Sequence, residues 1–312
     1  MKLEGIHHIT AITGDAPGNV EFYAGLLGLR LVKKTVNQDD PTVYHLFYAD
    51  EAGSPGSDLT FFEYPGAHPG RAGAGMVHRI VWRVASPDAI DFWEQRLAAN
   101  GTATERTAGG TLRFADPEGL GHELVVSTVA DAPLIAEAPD IPREHALQGF
   151  DAVRAYTADP ERSAALLRDT LGFTGGDDGT WEVRGEQRGG RYVYDTAPAE
   201  APVPGAGTVH HVAFATRMEE QDAWQEHVTR AGAHATPVID RFYFRSIYFR
   251  EPSGVLFELA TMGPGFGADE DPAHLGERLS LPPKFERLRA QLEQRLTPLP
   301  DPRAAATAAR NA

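Results

Sequence analysis

The feature that most restricts the fold of this 312-residue chain is an internal repeat. Four stretches each open with an alternating apolar strand, run into an amphipathic helix and close with short strands that end in an apolar run. The first starts at "GIHHITAIT", passes through "NVEFYAGLLGL" and closes with "YHLFYAD" and "DLTFFEYP". The second starts at "MVHRIVWRV" and continues into "SPDAIDFWEQRLAANG", where Ser86 suits an N-cap, Pro87 the first helical position and Gly101 the helix end. It closes with "TLRFADPEGLGHELVVS". The third follows the same order through "GFDAVRAYT", "DPERSAALLRDTLGF" and "GRYVYDT", and the fourth through "TVHHVAFAT", "MEEQDAWQEHVTRAGA", "FYFRSIYFREPSG" and "VLFELAT". The pattern predicts an α+β fold of four β-α-β-β-β modules, two per domain, with curved mixed sheets. The expected boundaries are an N-terminal domain over 1–127, a Pro/Ala-rich linker over 128–146, a C-terminal domain over 147–262, and a loop, helix and disordered tail over 263–312.

Composition narrows the chemistry. There is no cysteine, so thiolate metal sites, disulfides and cysteine nucleophiles are excluded, and any metal must be held by nitrogen and oxygen. A formal net charge of −15 argues against nucleic acid or an anionic membrane as partner. The opening "MKLEGIHHIT" lacks the charged-then-apolar layout of a signal peptide, which makes the cytoplasm the expected compartment. Exposed sheet edges leave a homo-oligomer open.

Two of the opening strands carry a histidine doublet, and neighbouring side chains of a strand point to opposite faces. His210 shares a face with Val212 and Phe214, whereas His211 shares one with the small Ala213 and Ala215; His8 likewise shares its face with Thr10, and His7 with Ile9 and Ala11. Small or polar neighbours leave room, so His8 and His211 are the expected pocket-facing pair. Glu258 is the one charge in the apolar run "GVLFELAT", and a carboxylate there is costly unless it is paired or bound to a metal. Two histidines and one carboxylate on adjoining strands form the facial triad of non-heme Fe(II) sites, open to substrate and O₂. The other two modules read as a degenerate copy. Ala152 stands where the first has His8, His78 stands opposite His210, and Arg79 stands opposite His211. Arg79 and Glu123 are then expected to form a buried ion pair, leaving one metal site per chain.

The combination "GIHHIT", "YHLFYADEAGSPGSDLTFF", "VHHVAF" and "GVLFELAT" resembles the vicinal oxygen chelate superfamily of glyoxalases, bleomycin-resistance proteins and dioxygenases, and within it the ring-cleaving hydroquinone-type extradiol dioxygenases. The resemblance spans residues 4 to 290. It implies Fe(II), with Mn(II) as an alternative ion, on His8, His211 and Glu258. It also implies a small dihydroxylated aromatic substrate with O₂, surrounded by His7, Thr10, His210, Arg241 and Tyr248. In that scheme His7 and His210 are acid/base groups, Tyr248 a hydrogen-bond donor and Arg241 a stabiliser of negative charge; a strand bulge would bring the first histidines toward the pocket. Two rival readings remain. If Glu63 joins as a fourth ligand, the set is similar to the glyoxalase arrangement, a Lewis-acid isomerase or lyase; a metal-free binding module is the other.

Overall fold

A computed structural model describes residues 1–301 and 303; most of the Ala-rich tail expected to be disordered lies outside the described residues. The first module consists of β1 (Ile6–Thr13), α1 (Ala16–Val20) with a π-helical turn over Glu21–Leu26, β2 (Arg30–Val36), β3 (Tyr44–Ala49) and β4 (Asp58–Glu63). The second has β5 (Met76–Val84), α2 (Pro87–Ala99), β6 (Thr104–Arg106), β7 (Leu112–Ala115) and β8 (Gly121–Val126). The third has β9 (Phe150–Thr157), short helical turns, β10 (Thr174–Gly175), β11 (Thr180–Arg184) and β12 (Gly189–Thr196). The fourth has β13 (Val209–Thr216), α3 (Gln221–Arg230), β14 (Ile239–Asp240), β15 (Phe244–Arg250) and β16 (Leu256–Pro264), and α4 (Arg289–Arg295) follows it.

Local chemistry accounts for the helices. Ser86 Oγ accepts from the Ala89 N–H at 3.3 Å, Pro87 opens α2, and Gly101 follows it at φ +75°. In the first and third modules the last helical turn widens to a five-residue spacing. Leu27 N–H donates to Phe22 O and Leu171 N–H to Leu166 O, both at 2.9 Å, just before a glycine at positive φ.

The sheets unite modules across the chain. One eight-stranded sheet runs β14-β15-β16-β13-β1-β4-β3-β2 and so joins the fourth module to the first. The other runs β10-β11-β12-β9-β5-β8-β7-β6 and joins the third to the second. Each sheet therefore takes one module from either side of the 128–146 segment, whereas grouping by sequence places modules one and two together. That segment is pinned to the second sheet: Asp131 accepts from Arg83 at 2.7 Å and from Arg184 at 2.8 Å. The main core packs residues of both sheets with the helices, including Trp82, Trp93, Phe214 and Phe257. A smaller cluster of Phe47, Ala213, Phe244, Ala260 and Phe266 lines the other face of the first sheet. Among the described residues no helix is long and apolar enough to cross a membrane.

After β16 the chain returns over the edge strand β2. Leu279 bridges Lys34, and Ser280 N–H donates to Lys34 O at 2.8 Å, so the edge of the first sheet is covered. Lys33, fully buried, fastens this return: its ammonium pairs with Asp269 at 2.8 Å and with Glu270, and donates to Phe266 O at 3.0 Å. Removing one partner of a buried ion pair strands the other charge. Lys33→Met is expected to destabilise the protein by about 3–5 kcal/mol, measured as a lower urea midpoint at unchanged slope.

Candidate metal centre

Three strands meet at the middle of the first sheet. β1 runs antiparallel to β13, with Thr10 opposite His211, and β13 runs parallel to β16, with Ala213 opposite Glu258. The β1–β13 register shifts between Ile6 and Ile9, a bulge at the His7–His8 doublet that turns the strand locally. His8, His211 and Glu258 come together there, all buried. His8 Nε2 is 3.2 Å from His211 Nε2 and 3.2 Å from Glu258 Oε2, and His211 Nε2 is 2.9 Å from the same oxygen. Glu258 is completely buried; its Oε2 has only the two ring nitrogens beside it, and its Oε1 has no hydrogen-bond partner. Three donors each about 2.1 Å from one ion, at right angles to one another, would stand about 3 Å apart. The residues therefore fit a metal on one triangular face, with the opposite face open.

The ring protons of the doublets follow from their partners. His7 Nε2 lies 3.2 Å from the Thr261 carbonyl, which can only accept, so His7 Nε2 carries the proton and His7 Nδ1 is an acceptor. His8 Nδ1, 2.9 Å from His7 Nδ1, must then donate, so that loss of the proton on Nε2 leaves a lone pair turned toward His211 and Glu258. His210 Nδ1 and His211 Nδ1 repeat the contact at 2.8 Å. The two outer histidines differ in their surroundings: His7 is buried and tied to Thr261, whereas His210 is exposed beside Phe62, with ring centroids 5.6 Å apart.

Electrostatics suit an ion. Burial alone would raise the Glu258 carboxyl, but His8 and His211 hold it well below the usual carboxylate range. Burial works against the charged form of His8, yet Glu258 outweighs it and raises the ring's pKa. Asp58, opposite His8 on β4, is buried with both carboxylate oxygens unpartnered, and burial pushes it up to about 8. It groups with His7 and His8 and stands behind the His8 ring. Sequence reasoning missed it, although a lone acid opening the apolar run "DLTFF" carries the same signal as Glu258.

The remaining expected residues are distributed as follows. Thr10 is fully buried and bonds Thr60 Oγ1 at 2.8 Å. Arg241 and Tyr248 line the cavity over the triad, the guanidinium 5.5 Å from the Tyr248 ring, but Arg241 also makes a bidentate pair with Asp39 at 2.9 Å for each bond. That pair spans the cavity mouth between the loops after β2 and β14. His45, also overlooked, lines the same cavity with Phe47, Phe62 and Phe244. The cavity volume is about 30 Å³, against the ~150 Å³ of a cavity that admits benzene. A ring can enter only when the wall moves.

Glu63 is not with the metal ligands. It lies opposite Thr13, at the far end of β4, and accepts from Ala16 N–H at 3.2 Å at the start of α1. The residue of β4 that corresponds to Glu258 is Thr60: it lies opposite the residue two after His8, just as Glu258 lies opposite the residue two after His211. The rival reading, in which Glu63 joins as a fourth ligand, is thereby corrected. In the second sheet Arg79 meets Glu123 at 3.2 Å, joined by Arg113 at 3.2 Å, while Ala152 is buried and offers no ligand atom. His78 pairs with Asp195 at 2.8 Å and stacks on Tyr156 at 3.7 Å. Among the described residues, the groups that could hold an ion are His8–His211–Glu258 and His7–His8–Asp58, which share His8.

Fold and site together define a two-sheet protein of repeated modules with a histidine–carboxylate group that could hold a metal at the junction of its first and last modules. The chain belongs to the Glyoxalase/Bleomycin resistance protein/Dioxygenase superfamily, whose model matches residues 5–124 and 149–259. It is 38% identical to MhqA of Bacillus subtilis (strain 168), whose name provisionally describes a ring-cleaving dioxygenase, over 96% of this chain and all of that one. It is 33% identical to the chlorohydroquinone/hydroquinone 1,2-dioxygenase of Sphingobium indicum, over 93% of this chain and 95% of that one. A crystal structure of a Bacillus subtilis protein provisionally called a dioxygenase superposes with a TM-score of 0.89 at 38% identity, covering 96% of this chain and 98% of the other. Glyoxalase I from Zea mays shares the fold, with a TM-score of 0.56 at 15% identity over 88% of this chain and 96% of that one.

Two outcomes test the centre. In anaerobic titrations with Fe(II) or Mn(II), His211→Ala should abolish binding and Glu63→Gln should leave affinity unchanged. Because Glu258 raises the pKa of His8, an incoming ion displaces a proton from that ring. Affinity should therefore fall as pH is lowered through the neutral range, with about one proton released per ion bound, measured by titration in buffers of differing ionisation enthalpy.

Proposed function

We propose that this protein is an Fe(II)-dependent dioxygenase that opens a dihydroxylated aromatic ring of hydroquinone or catechol type. The observation that carries the reading is the set of three facing ligand atoms of His8, His211 and Glu258, with Thr60 where a fourth carboxylate would stand, beneath a cavity lined in part by Phe47, Phe62, Phe244 and Tyr248. Two neutral imidazoles and one carboxylate are the ligand set of non-heme Fe(II) oxygenases, and Mn(II) is the alternative ion. Iron held by His8, His211 and Glu258 would supply open coordination positions and electron transfer between substrate and O₂; with both oxygen atoms entering the product and the ring providing the electrons, no outside reductant would be consumed.

The chain's own residues supply the rest. The aromatic wall receives the ring and excludes water. His7, tied to Thr261, acts as a positioning residue that fixes the tautomer of His8. His210 Nδ1 accepts from His211 Nδ1–H, as His7 Nδ1 accepts from His8, so the neutral ring carries its proton on Nε2 and offers that N–H as a donor toward a substrate oxygen, in place of the acid/base part expected of it. Tyr248 and Arg241 stand over the triad as donors toward substrate oxygen once the Asp39 pair at the mouth opens.

Metal analysis of protein purified without oxygen, followed by oxygen uptake with hydroquinone and catechol, tests the reading. Iron with substrate-dependent O₂ consumption is the expected result; Zn or Ni with turnover of a methylglyoxal–glutathione adduct would overturn it. His210→Ala should keep its iron and lose about 10²–10³ in turnover, the worth of one donor to developing negative charge, and an iron-free His210→Ala protein would refute the division of roles within the doublet.

A further inference from the structure

One cavity residue is left without a task by this scheme. His45, on β3, faces the cavity between two phenylalanines, with ring centroids 4.0 Å from Phe47 and 4.4 Å from Phe62; the Phe62 ring is in turn 6.5 Å from that of His211. His45 and the ligand histidine therefore lie along one wall. Its Nε2 is 3.0 Å from Thr60 Oγ1, and Thr60 is 2.8 Å from Thr10 Oγ1. Its Nδ1 has no hydrogen-bond partner within the described chain and is not sealed among the fully buried unpartnered atoms, so it faces the cavity.

The direction of this chain can be worked out. Thr10 is wholly buried, and Thr60 is the one partner of its hydroxyl. If Thr60 donated to Thr10, the Thr10 proton would be buried without an acceptor, at a cost of a full desolvation. The arrangement that satisfies every group has Thr10 donating to Thr60 and Thr60 donating to His45 Nε2. His45 Nδ1 then carries the ring proton and presents an N–H to the cavity.

From this juxtaposition we propose that His45 is a substrate-binding residue that donates a hydrogen bond to the ring oxygen that is not on the metal, and that it selects 1,4-diols over 1,2-diols. The inference rests on the ring-cleaving reading and deepens it. A vicinal diol can place both oxygens on one ion and needs no further partner. A hydroquinone holds one oxygen at the ion and carries the other to the opposite edge of the ring, toward the stretch of wall where His45 stands between Phe47 and Phe62. An N–H there satisfies that oxygen, and Thr10 and Thr60 act as positioning residues that orient it.

The test compares anaerobic binding of hydroquinone, catechol and phenol to the iron-loaded protein by calorimetry, for the wild type, His45→Leu, His45→Gln and Thr60→Val, with iron content measured for each. The wild type should prefer hydroquinone to phenol by tenfold or more, about one hydrogen bond's worth. His45→Leu should keep its iron and its catechol affinity while that preference falls to near unity; His45→Gln should restore part of it, and Thr60→Val should weaken it without removing the ring. Undiminished preference in His45→Leu, or equal loss for catechol and hydroquinone, overturns the inference while leaving ring cleavage intact. A wild-type protein that binds neither diol and consumes no O₂ with either refutes the ring-cleaving reading, and this inference with it. Should His45→Leu fail to fold, Thr60→Val and His45→Gln decide on the same ratio.

Discussion

Everything at the centre of this molecule depends on one antiparallel junction, the pairing of β1 with β13. It brings a strand from the first module against one from the last and so joins two four-stranded units into one sheet. The bulge in that junction lets both members of the first doublet turn inward, and the parallel neighbour β16 then delivers Glu258 to within 3.2 Å of both ligand nitrogens. The second sheet has the same plan at β5 and β9, with the same bulge and with Glu123 opposite the residue two after Arg79. There the geometry is kept but a guanidinium and a methyl group stand in the places of the two histidines, so an internal ion pair forms at the position that the first sheet gives to its histidine–carboxylate group.

The repeat was legible because its period is long and its apolar alternation strong, and the faces of His8 and His211 were legible because a strand offers only two. The partner of each module was not. Nothing in the spacing of "GIHHITAIT" and "TVHHVAFAT" says that they pair with each other rather than with their neighbours in sequence; that is settled by packing across the whole chain. The misplacement of Glu63 has a local cause. The dipeptide Phe-Glu occurs in both "DLTFFEYP" and "GVLFELAT", and matching the two aligns Glu63 with Glu258, whereas the backbone pairing aligns Thr60. A slip of three residues moves a side chain along the strand and also to the opposite face.

The hydrogen-bond chains show what periodicity alone cannot reach. His7 is distinguished from His210 by the carbonyl of Thr261, 254 residues away in sequence, and Thr10 acquires its place through Thr60 and His45. In each case a residue marked by its position near the doublet turns out to act on the site through another side chain. Asp39 and His45, which line the cavity together with the triad, belong to a loop and a strand whose patterns look ordinary when read singly.

The junction of first and last modules also sets the order of events in biosynthesis. His8 leaves the ribosome long before His211, from which it is separated by 203 residues, and the Thr261 carbonyl emerges later still. Two consecutive modules, the second and third, can build their own sheet in the interval, while β1 waits without its partner. On the proposed ligand set, an ion cannot be held until the fourth module has been made and has closed this long loop. Metal loading would then be coupled to synthesis of that module, and a chain interrupted before it would carry one of the three ligands, His8, without the other two.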